Sequence, residues 1–78
     1  MTVLDTVRQT VGSIAQHPVP ADPGASLFEG GVIDSFGVME LVARLEEVFQ
    51  IAVPDEDMVP RKFETLEKIA AYIENRRS

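Results

Sequence analysis

Hydrophobic positions along the chain fall into three stretches at helical spacing, separated by one long interval rich in proline and polar residues. In the first stretch Leu4, Val7, Val11 and Ile14 recur every three or four residues, the spacing that lines one face of an α-helix. A helix over residues 2–16 is predicted. Thr2 stands where an N-cap is needed, and Asp5 three residues later can complete a capping box. Gly12 weakens this helix by about 1 kcal/mol relative to Ala. In the second stretch Val38, Leu41, Val42, Leu45, Val48 and Phe49 form an apolar stripe, which predicts a helix over residues 35–49. Asp34 and Ser35 supply side-chain oxygens at its start, where backbone N–H groups lack partners. In the third, Leu66, Ile69, Ala70 and Ile73 face inward with Tyr72 flanking them, predicting a last helix over residues 65–76. Thr65 is its expected cap, and Glu64 and Lys68 have the favourable i,i+4 spacing.

The connections differ in kind. Residues 17–24 hold three prolines and a glycine and cannot be regular helix. The loop over residues 17–34 is long for a small domain, and Leu27 and Phe28 are expected to pin it to the core. Residues 53–57 read as a turn or a short helical start. Pro60 opens a further short helix over residues 60–63, at the first position, where proline is favoured. No segment alternates with period two. The expected fold is all-α: a small bundle of three to four helices, one domain over residues 1–78, with a long loop between the first two helices.

Composition narrows the functions such a bundle can have. With 78 residues the chain buries one small core, which favours carrying, binding or scaffolding over self-contained catalysis. It has no cysteine, so disulfides and thiolate metal sites are excluded, and any thiol chemistry needs a sulfur from elsewhere. The net charge of −6 opposes binding to nucleic acid phosphates and anionic lipids. The acids are unevenly placed. Residues 29–57 contain eight acids (Glu29, Asp34, Glu40, Glu46, Glu47, Asp55, Glu56 and Asp57) against one base, Arg44; the remainder has five acids and six bases. The acidic excess therefore surrounds the second helix and the segment after it, and marks a docking face for basic partners. Arg44 interrupts that face, either to tune the choice of partner or to pair with Glu40 or Glu47. No apolar run approaches the roughly 20 residues that span a bilayer. The opening Met1-Thr2-Val3-Leu4-Asp5 has no basic region or apolar run of a leader. A cytoplasmic monomer is expected.

Chemistry concentrates in Gly31-Val32-Ile33-Asp34-Ser35-Phe36-Gly37-Val38-Met39-Glu40-Leu41. A serine at the start of a helix, delivered by a loop, points outward and is reachable by another protein. The helix N-terminus also suits a phosphate ester. As plain structure, Ser35 is a helix cap and Asp34 a first-turn acid. Here the sequence resembles the acyl carrier protein family, which includes fatty-acid, polyketide, peptidyl and D-alanyl carriers, over nearly the whole chain. Asp34-Ser35-Phe36 matches the family's Asp-Ser-Leu motif with Phe for Leu. Leu27-Phe28-Glu29, Glu40-Leu41 and Phe49-Gln50-Ile51-Ala52-Val53-Pro54-Asp55 support it, and Gln50 departs from the family's usual Gly.

The resemblance implies a bundle of the acyl carrier type and a non-catalytic function. Ser35 would carry 4′-phosphopantetheine covalently, received from coenzyme A, and Asp34 would be read by the phosphopantetheinyl transferase. The arm's thiol would hold acyl or aminoacyl groups as thioesters. Phe36, Met39, Glu40, Glu46, Glu47, Asp55 and Glu56 would contact partners: the transferase, a loading ligase or acyltransferase, and downstream synthases or transferases. Gly37 stands where fatty-acid carriers commonly have Asp, which directs the expectation to D-alanyl, aminoacyl or specialised carriers, of polyketide or non-ribosomal peptide biosynthesis among others. A fatty-acid carrier and an unmodified acidic interaction module are the alternatives. A hydrolase built on Ser35 and His17, the single histidine, lacks a nucleophile elbow. Asp55-Glu56-Asp57 lacks the spacing and glycine of a calcium loop, and no metal site is expected.

Overall fold

The computed structural model describes residues 2–34 and 36–77. Among the described residues there are three helices, α1 (Val3–Ile14), α2 (Gly37–Phe49) and α3 (Leu66–Arg77), with 3₁₀ turns at Asp55–Asp57 and Pro60–Phe63. The described residues contain no strand, and the architecture is a small all-α bundle of the carrier type. None of the helices is long and apolar enough to cross a membrane.

Local chemistry sets each helix. The Thr2 hydroxyl accepts the Asp5 N–H at 3.1 Å and the Asp5 carboxylate reaches back to the Thr2 N–H, a complete capping box. The Thr65 hydroxyl accepts the Lys68 N–H at 3.0 Å. α2 ends at Gln50, the one described non-glycine residue with positive φ, at 56°. A left-handed residue with a side chain costs roughly 1–2 kcal/mol. The Gln50 side-chain amide offsets part of this by donating to the Glu47 carbonyl at 2.7 Å.

α1 packs against both α2 and α3. Val7 and Val11 from α1, Val38, Leu41, Val42 and Leu45 from α2, and Leu66, Ile69 and Ile73 from α3 meet in one core. Val48 was expected in this stripe but is 49% exposed. It falls where the stripe has rotated out of the contact, and Val53 from the following segment is buried in the core.

The core also takes side chains from the connections. Leu27, Val32 and Ile33 of the long loop are buried, and Phe63 of the second 3₁₀ turn is fully buried. Phe63 meets Tyr72 edge to face, with ring centroids 5.5 Å apart. The loop is fastened along its length. The Arg8 guanidinium donates to the carbonyls of Pro20 and Ala21 at 2.6 and 3.1 Å. The Glu67 N–H, at the start of α3, donates to the Pro23 carbonyl at 3.0 Å. Leu27 donates its N–H to the Glu64 carbonyl at 2.7 Å, and its own carbonyl accepts both Val32 N–H (3.0 Å) and Ile33 N–H (3.2 Å). Gly31, at φ +70°, closes the turn between them; a Cβ there would also stand 3.2 Å from His17 Cδ2.

Phe63 and Val48 give opposed expectations for truncation. Phe63→Ala should destabilise the chain by about 3–5 kcal/mol, lowering the urea midpoint with little change in slope. Val48→Ala should stay within about 0.5 kcal/mol of the parent.

Candidate functional site

The loop-to-α2 junction is built from the buried side outward. Val32 and Ile33 are 2% and 3% exposed, and both N–H groups are held by the Leu27 carbonyl. The Val32 carbonyl accepts the Gln16 N–H at 3.0 Å, which ties the junction to the end of α1. Asp34 follows and is exposed. Its Oδ1 accepts the Gly37 N–H at 2.7 Å, and its Oδ2 faces Gln16 Nε2 at 3.5 Å. A carboxylate accepting the N–H three residues on is the N-cap arrangement, and it places negative charge at the positive end of α2. Phe36 already has right-handed helical dihedrals, φ −75° and ψ −32°. Its ring is 85% exposed.

The expected start of this helix, and the candidate attachment residue, is Ser35, which lies outside the described residues. Its neighbours on both sides are exposed, which suits a covalent group delivered and later read by other proteins. The chain's lack of cysteine also fits a group that brings its own thiol.

Beyond the junction, Met39 (70% exposed), Glu40, Arg44 and Glu47 continue the outer surface of α2. Phe36, Glu40, Arg44 and Glu47 follow one another at steps of three to four residues, with Met39 beside Glu40, which puts them along one side of the helix. Asp55 and Glu56 are exposed in the first 3₁₀ turn. Arg44 makes no ion pair with Glu40 or Glu47 among the described residues.

Two acids of this region are engaged inside the fold. Glu46 is half-buried and its Oε2 accepts the Val53 N–H at 2.9 Å. Asp57 takes the Lys62 ammonium on Oδ1 and the Tyr72 hydroxyl, at 2.7 Å, on Oδ2. Arg76 adds a bond to the Ala52 carbonyl at 3.0 Å. Together these clamp the connection between α2 and α3. Sequence reasoning missed this clamp, and it missed Val32 and Ile33 as the buried footing of Asp34. The Val-Ile pair between Gly31 and Asp34 was the available signal.

The family model for the phosphopantetheine attachment site matches residues 5–73. The D-alanyl carrier protein of Streptococcus pyogenes serotype M1 is 31% identical over 74 residues, covering 95% of this chain and 94% of that protein. The D-alanyl carrier proteins of serotype M5 (strain Manfredo) and serotype M49 (strain NZ131) match to the same extent. The chain belongs to the phosphopantetheine-binding carrier protein family, whose members bear a covalent 4′-phosphopantetheine and work with phosphopantetheinyl transferases and loading enzymes.

The clamp has a signature at both ends of the pH scale. The hydrogen bond from Lys62, then that from Tyr72, holds the Asp57 carboxyl below its ordinary 3.8. A folded value below the unfolded one gives stability that is complete above the ordinary value and lost as pH falls through the folded value. Burial, then the bond to Asp57, pushes the Tyr72 hydroxyl up from 10.0 to about 12. That contribution is complete below pH 10.0 and is lost as pH rises through about 12. Urea midpoints below pH 4 should fall less steeply in Asp57→Asn than in the parent. Phenolate absorbance of the folded protein should have its midpoint near 12; a midpoint at the ordinary tyrosine value would show that the bond is not made.

Proposed function

We propose that this carrier holds its cargo on a phosphopantetheine arm attached to Ser35, and that the chain does no chemistry of its own. The observation that carries the reading is the capped junction. Asp34 is fixed by the Gly37 N–H and stands exposed, and Phe36 is exposed on the other side of Ser35. A transferase would attach the arm by joining the Ser35 hydroxyl oxygen to the phosphopantetheine phosphate of coenzyme A. The pyrophosphate bond breaks, the adenosine bisphosphate leaves, and the hydroxyl proton is released. Asp34 is the landmark the transferase reads. The arm supplies a terminal thiol, on which an acyl or aminoacyl group is held as a thioester.

Glu40, Glu47, Asp55 and Glu56 form the acidic part of the docking face, with Phe36 and Met39 as apolar contacts beside the arm. Glu46 supports that face from its half-buried position. Their partners are enzymes with basic surfaces around an apolar pocket: the transferase, a loading ligase or acyltransferase, and downstream enzymes that take the cargo. The cargo class we propose is a short acyl or aminoacyl group, as in specialised biosynthesis. Two features support it: the likeness to D-alanyl carrier proteins and Gly37 where an acid is common in fatty-acid carriers. The place of work we propose is the cytoplasm, as a monomer.

Incubation with coenzyme A and a broad-specificity transferase should raise the intact mass by one phosphopantetheinyl group. Ser35→Ala should show no increase, and an increase that survives it would sink the assignment. Asp34→Ala should load more slowly and also lose about 1 kcal/mol of stability with the cap.

A further inference from the structure

The tightest approach at the junction is one that only a glycine permits. A Cβ on Gly37 would stand 2.8 Å from Ile33 Cγ2 and 3.3 Å from Asp34 Oδ1. Non-bonded carbons pack at about 3.5–4.0 Å, so that methyl and Ile33 could not both keep their places. Ile33 has little room to retreat. It is 3% exposed within the core cluster, and its N–H is held by the Leu27 carbonyl at 3.2 Å. Cγ2 is the branch methyl of a β-branched side chain, which moves only when χ1 or the backbone moves. The next residue is Asp34, whose Oδ1 accepts the N–H of Gly37 itself. Gly37 is the first residue of α2, and this contact supplies a reason for a glycine there.

We infer that Gly37 and Ile33 are positioning residues, which together fix the Asp34 carboxylate in the pose a phosphopantetheinyl transferase reads. The inference rests on the reading of Ser35 as the attachment residue and Asp34 as its landmark. Any side chain at position 37 pushes Ile33 away from α2 and turns Asp34 with it. The same crowding bars a second acid from position 37. The transferase that fits this carrier therefore meets one carboxylate at the junction, flanked by the exposed Phe36 ring and the Met39 thioether, and needs an apolar surface beside its cationic contact.

Steady-state transfer to the full chain, followed by intact mass, separates KM for the carrier from kcat. Gly37→Ala should raise KM about tenfold while kcat stays within about twofold. Adding Ile33→Leu removes the branch methyl and should return KM to within about threefold of the parent, whereas Ile33→Val keeps a methyl at the branch and should not. Where Gly37→Ala alone fails to fold, the double variant still decides. Rescue supports the inference, and a double variant that does not load overturns it. An unchanged KM in Gly37→Ala, with the parent loading normally, overturns the positioning and leaves Ser35 as the attachment residue. A parent chain that takes no arm overturns both.

Discussion

The backbone of Leu27 is the point on which the arrangement turns. Its side chain sits in the core. Its N–H reaches forward to the Glu64 carbonyl just ahead of α3, and its carbonyl gathers the N–H groups of Val32 and Ile33. One residue thus joins the middle of a long loop, the approach to α3 and the footing of Asp34. A loop of this length, left free, would present the start of α2 in many orientations, and the closure entropy alone would not choose among them. Burying Leu27, Val32 and Ile33 together converts the last part of the loop into a rigid bracket. Asp34 then caps a helix whose entry direction is already decided.

The helices were legible in the sequence because each carries its own periodic stripe and its own cap. Thr2 with Asp5, and Thr65 with Lys68, use local side-chain chemistry that needs no knowledge of the rest of the chain. Val48 was misassigned because periodicity says which face is apolar but not how far along the helix a neighbour extends. Phe63 was passed over because a four-residue 3₁₀ turn has no periodicity to read, although it supplies one of the largest fully buried side chains. Val32 and Ile33 were hidden in the same way inside a loop.

The junction was legible in part. The order Asp34-Ser35 and the surrounding acids could be read from spacing and charge, whereas the helix expected from residue 35 is α2 from Gly37. The engagement of Glu46 with Val53, and of Asp57 with Lys62 and Tyr72, could not, since these partners are five to fifteen residues apart and no single helical period relates them. Nor could the reason for Gly37. A glycine at that place reads as a missing acid in the sequence. In three dimensions it is room for Ile33.

The division of the acids into outer and inner sets has a consequence in solutions of different ionic strength. Glu40, Glu47, Asp55 and Glu56 stand in water, where their fields fade over a Debye length of about 8 Å at physiological salt. Glu46 and Asp57 hold their partners at hydrogen-bond distance, where screening by added ions is much weaker than between separated surface charges. Salt therefore weakens the long-range field of the outer acids more than it weakens the contacts that hold the connection between α2 and α3. A molecule that must be captured, used and released by several enzymes gains from that separation, because the strength of each encounter can be set by surface charge without touching the fold that presents the arm.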